Sequence, residues 1–234
     1  MTGLLGRGAL VNWGGVIAGG EQDYNAWHSL EHMPERLSVP GFRRGRRAVA
    51  VAGTAETLKY FMMYEAVDAE VFVSEPYLNR LNNPTPWTQR ILSLYLAPSR
   101  TVCRVIDSRG CGAGGWMATL QWSKGTAIPH DENSFPDGWI EKIMAMEGVV
   151  GAHLLKGEPD LGQLQTTEKK FRESQGEPDR TIALTLLIDG FSLAETRAAM
   201  NATLDVLDEP VRDDCVATLY ETQHVLTNAD VGKP

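Results

Sequence analysis

Residues 40–46, Pro-Gly-Phe-Arg-Arg-Gly-Arg, and residues 147–153, Glu-Gly-Val-Val-Gly-Ala-His, follow one pattern: a glycine turn that leads into a strand. Each segment comes after a predicted strand and helix, and each precedes a strand, a helix and a last strand. The order strand, helix, strand, strand, helix, strand therefore occurs twice along the chain. This order predicts two four-stranded antiparallel sheets in tandem, each with its helices on one face.

The hydrophobic pattern places the individual elements of this repeat. Further strands are predicted at residues 9–18, 42–51, 59–67, 101–106, 116–122, 181–188 and 215–225. Helices are predicted at residues 68–81, 137–146 and 193–207, and at residues 24–33, where Pro34 discourages continuation. The polar segment 157–179 is predicted to be a loop.

The face of each sheet that carries no helix is still apolar and needs a partner. We therefore predict an α+β fold in which two tandem ferredoxin-like units close their antiparallel sheets into a barrel. The glycine-rich segment 110–115 separates the units, so residues 1–109 form the first and residues 110–234 the second. Two ferredoxin-like domains packed in another way are the alternative.

The overall charge and composition exclude several classes of partner. The chain has 234 residues, 22 of them basic and 30 acidic, which gives a formal net charge of −8. This balance argues against a nucleic-acid-binding protein, which needs a basic surface. No apolar run approaches the roughly 20 residues of a membrane helix, and no secretory signal is recognisable. The three cysteines form no CxxC pair, so we expect a cytoplasmic protein.

The charge is divided unevenly between the two halves. Residues 1–117 carry 12 basic and 10 acidic side chains, whereas residues 118–234 carry 10 basic and 20 acidic ones. Either one surface is simply more acidic, or the first half holds a site for an anion. The helix predicted at residues 137–146 has no histidine, so we expect the first unit to be active and the second to be degenerate.

A dense polar cluster lies on the first predicted helix. At about 100° per residue, one arc of that helix holds Tyr24, His28, Glu31, His32 and Glu35. In one interpretation the helix is amphipathic and this arc faces water. In the other, His28 and His32 form a proton-transfer pair, and Glu31 orients one of the imidazoles.

The same residues fit a metal-binding pattern, HxxEH, which some zinc proteases use. A zinc site needs three or four ligands, and no third ligand is identifiable here. We therefore predict no bound metal.

The candidate substrate contacts come from several elements. Side chains alternate along a strand, so Arg46 or Arg47 is predicted to point into the barrel mouth and bind a carboxylate or phenolate. His153 occupies the matching position of the second unit. The face that carries Tyr60 and Tyr64, like the face that carries Thr181 and Thr185, is assigned to the barrel lumen. The remaining candidates are Trp27, beside the histidines, and Asn83 and Trp87, on a connection that can roof the cavity.

Residues 27–37, which read Trp-His-x-x-Glu-His-x-Pro-Glu-Arg-Leu, together with residues 39–47 and the strand from Tyr60 to Tyr64, resemble the dimeric α+β barrel superfamily. The similarity is closest to its EthD-like members and covers about residues 9–106. It implies a small-molecule enzyme. The superfamily includes muconolactone isomerases, polyketide cyclases, cofactor-free monooxygenases and haem proteins, so the resemblance leaves the reaction open.

The leading hypothesis is a cofactor-independent lyase or isomerase that acts on a small aromatic or unsaturated acid or on a polyketide-like molecule. His28 or His32 would transfer the proton, Tyr64 would hydrogen-bond an enolate oxygen, and Arg46 would bind the anionic group. One alternative is an oxygenase of the same superfamily, either cofactor-free or with haem on His153 or His224. Another is a non-catalytic small-molecule-binding protein. The oligomeric state stays open, with a homodimer as one expectation.

Overall fold

The computed structural model describes residues 3–123, 138–162, 164–173 and 180–231. Antiparallel strands close into a barrel in the order β1-β3-β2-β8-β5-β7-β6-β4. Their bounds are β1 Gly8–Val16, β2 Phe42–Ala50, β3 Tyr60–Ala66, β4 Tyr95–Gly110, β5 Trp116–Ser123, β6 Val149–Gly157, β7 Ile182–Gly190 and β8 Val216–Thr227.

The strand order shows the duplication directly. The first half contributes the sequence β4-β1-β3-β2 and the second half contributes β8-β5-β7-β6, so each has the strand order of a ferredoxin-like sheet. The pairings of β2 with β8 and of β4 with β6 join the two sheets and close the barrel. The predicted α+β fold is confirmed.

The glycine turns at Gly41 and Gly148 occupy equivalent places in the two halves. Gly41 has φ +96° and Gly148 has φ +80°, a backbone region that favours glycine. The carbonyl of Gly41 accepts a hydrogen bond from Val67 N at 2.9 Å, and that of Gly148 accepts one from Phe191 N at 3.1 Å. In both halves, the turn before one strand is therefore tied to the end of its hairpin partner.

Helices cover the outside of the barrel. They are α1 Glu21–Trp27, α2 Met33–Leu37, α3 Glu75–Asn82, α4 Pro86–Leu92, α5 Trp139–Met144, α6 Pro159–Gly162, α7 Thr167–Glu173, α8 Leu193–Asp205 and α9 Glu209–Asp213. Short 3₁₀ turns lie at Glu56–Leu58 and Ala69–Val73. The segment 157–179, predicted as a loop, contains α6 and α7, so that prediction is wrong for these residues. Residues 163 and 174–179 lie outside the described part.

The first helix does not end at Pro34. A π-helical turn, His28–His32, connects α1 to α2, and Met33 N–H bonds to the carbonyl of His28. Proline lacks an N–H and crowds the carbonyl four residues before it, so a widened turn just ahead of Pro34 relieves the conflict. The helical path therefore continues to Leu37.

The barrel interior is filled with side chains, among them Trp13, Phe61, Met63 and Tyr220. On β7 the expected sides are correct for Leu184 and Leu186, which pack against the helices, whereas Ile182 packs inside the barrel. On β3 they are reversed: Phe61 points inward, whereas Tyr60 and Tyr64 face the helices. Both faces of β3 are covered, so alternation alone could not tell the inner face from the outer one.

Candidate active site

The two histidines of the first helix face the protein interior. His28 is fully buried, whereas Leu30 is 73% exposed, so the interpretation that placed the histidine arc in water is wrong. The π-turn keeps the two imidazoles on one side, with ring centroids 5.5 Å apart. Both rings lie between this helix and the outer face of the first sheet, where β3 presents Tyr64.

His28 lies against Tyr64. Its Nε2 is 3.4 Å from the Tyr64 hydroxyl, and both side chains are buried. Nδ1 of His28 has no hydrogen-bond partner among the described residues. Burial, together with nearby Arg47, holds the pKa of His28 well below its ordinary value, and burial raises the pKa of Tyr64 well above its own. At neutral pH the pair is therefore an uncharged imidazole beside an uncharged phenol.

His32 stacks on Trp27, with ring centroids 4.3 Å apart. Trp27 Nε1 donates to Thr88 Oγ1 at 3.1 Å, and Thr88 Oγ1 in turn donates to a Glu31 carboxylate oxygen at 3.3 Å. Glu31 also accepts a hydrogen bond from Thr85 at 2.6 Å. The carboxylate expected to orient a histidine thus bonds to two threonines instead, and it fixes the indole on which His32 rests.

The His32 imidazole is also held neutral. Burial comes first among the causes that put the pKa of His32 well below its ordinary value, followed by the positive charge of Arg36 and by His28. Nδ1 of His32 has no hydrogen-bond partner within the described ranges. A neutral imidazole with an unpaired nitrogen can accept a proton, which is the requirement for a general base.

A cavity lies beside these groups, between the outer face of the first sheet and the helices. Its volume for water-molecule centres is about 50 Å³. This is several times what one buried water needs on the same measure. Its wall includes His32 and Tyr64 together with Asn12, Tyr24, Arg36, Tyr77, Tyr95, Arg100, Glu168 and Arg172. The lumen predicted to hold the ligand is filled, and this cavity lies outside the barrel.

The second half of the chain contributes to this first-half cavity. Helix α7 carries Glu168 and Arg172 to its wall. The Glu168 carboxylate accepts a hydrogen bond from Arg36, and both side chains are buried. Among the described residues, the cavity wall therefore has three arginines and one carboxylate. This excess of positive charge favours an anionic ligand.

Arg46 and His153 do point into the same enclosed space, but that space is the barrel interior. Arg46 Nη1 is 2.7 Å from Asp189 Oδ1, and His153 Nε2 is 3.2 Å from Asp189 Oδ2. Although burial opposes ionisation, Arg46 and His153 lower the pKa of Asp189 to about 2. The carboxylate partner of Arg46 is thus a residue of the chain itself, and Ser108 occupies the other His153 nitrogen at 2.9 Å.

The other predicted contacts lie off the cavity wall. Arg47 donates to the carbonyl of Asn25 at 3.0 Å. Tyr60 packs on Tyr24, with ring centroids 4.6 Å apart. The other two donate hydrogen bonds to residues away from the cavity, Trp87 to Asp23 and Asn83 to Asn79.

Sequence reasoning missed the cavity residues that come from distant segments: Asn12, Tyr77, Arg100, Glu168 and Arg172. Arg36 was part of the quoted helix motif but had no predicted role. The sequence could have indicated α7 only by a helical spacing of its side chains. The helix has seven residues, which is too short for such a spacing to be recognised in a polar segment.

The residues present do not fit a haem. The barrel interior around His153 is filled with side chains, and both His153 nitrogens already have partners. His224 lies on β8, and burial lowers its pKa. Within the described ranges, no three histidine, cysteine, aspartate or glutamate side chains are placed to hold a metal ion.

Comparisons with known proteins support the fold. No protein-family model matches the chain, and no curated protein matches its sequence significantly. A crystal structure of an anthrone oxidase-like protein matches 99% of this chain and 97% of its own, with 9% identity and a TM-score of 0.53. A protein from Fusobacterium nucleatum with a provisional monooxygenase assignment matches 96% of each chain, with 8% identity and a TM-score of 0.54. At these identities the likeness shows a shared α+β barrel fold; the EthD-like resemblance stays a prediction.

One further finding concerns membranes. In the part of the chain that the structure describes, no helix is both long enough and apolar enough to cross a bilayer.

Proposed function

We propose that the chain is a cofactor-independent enzyme of the lyase or isomerase type, which moves a proton of a small aromatic or unsaturated substrate bound beside α2. The observation that carries this proposal is the pair of His32 and Tyr64 on one cavity wall, with ring centroids 6.1 Å apart. One group can take a proton, and the other can hydrogen-bond the oxygen that becomes negative.

His32 is the proposed base. Its imidazole accepts a proton from an acidic C–H bond of the substrate, and the electron pair of that bond moves into an enolate whose charge rests on oxygen. Arg36 and the other cations near His32 disfavour the imidazolium, so the proton is readily returned. Return to a different carbon completes an isomerisation, whereas expulsion of a leaving group from the enolate completes an elimination.

Tyr64 is the proposed donor to the enolate oxygen. In the tautomer of His28 that carries its proton on Nε2, this nitrogen donates to the Tyr64 oxygen and leaves the phenol O–H free to donate into the cavity. Because the cavity is partly enclosed and the Tyr64 side chain is buried, a hydrogen bond to a developing charge is stronger there than in solution.

A cofactor-free oxygenase is the second candidate, and the names of the two fold neighbours favour it. The enolate is equivalent to a carbanion, which can pass its electrons to dioxygen. Both candidates share the first step, removal of the proton by His32, and differ in the use of oxygen. Turnover under argon separates them, because only the oxygenase stops.

The test is exchange of solvent deuterium into phenylacetone and phenylpyruvate, two aromatic ketones with an acidic CH₂ group, followed by proton NMR. We expect the wild type to accelerate exchange of at least one ketone, and His32→Gln to lower that rate by about a hundredfold or more. The matched control is His224→Gln, a histidine of β8 outside the cavity wall, which should retain the rate. Exchange at the buffer rate, or exchange that survives His32→Gln, would refute the proposal.

A further inference from the structure

A second, smaller cavity adjoins the first. Its volume for water-molecule centres is about 10 Å³, which is close to what a single water needs. Its apolar side includes Phe72, Leu78 and Leu81. Arg100 and Arg172 line both cavities, so they lie where the two spaces meet.

The polar side of this second cavity is cationic. Arg100, Lys169 and Arg172 line it, and no carboxylate of the described residues does. The two long side chains from α7 come from the second half, whereas Arg100 comes from β4 of the first half. A space between them is therefore assembled only when α7 lies over the first sheet.

Arg100 differs from Arg36 in its partners. Arg36 is paired with Glu168, so its charge is balanced within the protein. Arg100 Nη2 donates a hydrogen bond to the Tyr77 hydroxyl at 3.1 Å, and the described residues place no carboxylate within ion-pair distance of Arg100. A guanidinium held by a tyrosine keeps further N–H donors, which suit the two oxygens of a carboxylate.

We infer that the substrate is a carboxylic acid and that Arg100 binds its carboxylate where the two cavities meet. Lys169 and Arg172 line the same space. This inference rests on the proposed function, since it assigns the anionic end of the molecule whose C–H bond faces His32. It also replaces Arg46, whose charge is taken up by Asp189 inside the barrel.

The test compares phenylpyruvate with phenylacetone, which has a methyl group in place of the carboxylate. In the wild type we expect phenylpyruvate to have the lower KM for deuterium exchange. Arg100→Gln should raise the KM for phenylpyruvate about tenfold or more and leave phenylacetone unchanged, because a hydrogen bond to a charged group is worth that much. Arg100→Lys keeps the charge and loses the paired donors, so its KM for phenylpyruvate should lie between those of the wild type and Arg100→Gln. This second variant keeps the inference testable if Arg100→Gln does not fold.

Arg104→Gln is the matched control. Arg104 lies four residues along the same strand and pairs with Glu70 and Glu158 at the surface, away from both cavities. We expect it to leave both KM values unchanged. Equal effects of Arg100→Gln on the two ketones, or no effect on either, would overturn the inference.

Calorimetry distinguishes failure of this inference from failure of the proposed function. If the wild type binds phenylpyruvate and Arg100→Gln abolishes binding, but no exchange occurs, the carboxylate site stands and the proton-transfer proposal fails. If exchange depends on His32 but Arg100→Gln changes neither the binding nor the KM of phenylpyruvate, the carboxylate assignment is wrong and the proton-transfer proposal stands.

Discussion

The burial of His28 predicts a specific loss of stability in acid. Its imidazole is fully buried among Tyr24, Trp27 and Tyr64, and its pKa in the folded protein lies well below the ordinary value. In the unfolded chain the same group titrates near pH 6.5. Below that pH the unfolded state binds a proton that the folded state rejects, so stability is fully present above pH 6.5 and decreases as the pH falls.

The size of this effect follows from the linkage relation. At pH 5 a histidine that stays neutral in the folded state and titrates near 6.5 when unfolded costs about 2 kcal/mol. His28→Gln removes that titration. We therefore expect the drop in unfolding free energy between pH 7 and pH 5 to be about 2 kcal/mol smaller in His28→Gln than in the wild type.

The assay is urea unfolding followed by tryptophan fluorescence at both pH values. The comparison concerns the drop between the two pH values, so a lower stability of His28→Gln at pH 7 does not affect it. His224→Gln is the control, since that side chain is only partly buried and should change the drop much less. An equal drop in His28→Gln and in the wild type would refute the argument that the folded protein holds His28 neutral.

Three other substitutions test the site and its scaffold. Tyr64→Phe should lower the exchange rate kcat by about a hundredfold with little change in KM, because the lost bond forms only to the developing enolate; an unchanged kcat would exclude Tyr64 as the donor. Glu168→Gln should destabilise the protein by about 3 kcal/mol in urea unfolding, since it leaves the buried Arg36 without its charge partner; a change under 1 kcal/mol would show that the pair contributes little. Gly41→Ala should cost more than Gly53→Ala, because both have positive φ but only the Gly41 Cβ would meet Val71, at 2.6 Å; equal thermal unfolding temperatures would contradict this.

The sequence predicted the fold well because its signals were repeated. The Gly41 and Gly148 turns mark the same step in both halves, so two independent segments indicate the same topology. The inner and outer faces of β3 were not predictable, since Tyr60 and Tyr64 pack as well against helices as inside a barrel. Because of this ambiguity, the ligand was predicted to bind in the lumen, whereas the cavity lies on the outer face of the sheet.

The candidate site was predictable only where it is local. His32 and Tyr64 were found because a histidine helix and a tyrosine-rich strand of the same unit are close in sequence. The contact between Arg36 and Glu168 spans 132 residues and joins the two halves, so no spacing pattern could indicate it. The π-turn was equally invisible, although Pro34 marks where an ordinary helix would have been strained.

The position of α7 has a consequence for how many sites one molecule can have. The segment that reaches across to the first sheet connects β6 to β7 and spans residues 158–181, whereas its counterpart between β2 and β3 spans only residues 51–59. The shorter connection includes a single 3₁₀ turn and carries no equivalent of α7. The duplicated sheets are alike, but the segments that cover them differ, so the first half provides the proposed reactive groups and the second half provides the helix that covers them. Saturation with a ligand of the cavity should therefore be reached at one molecule per chain, despite the two-fold repetition of the sheet.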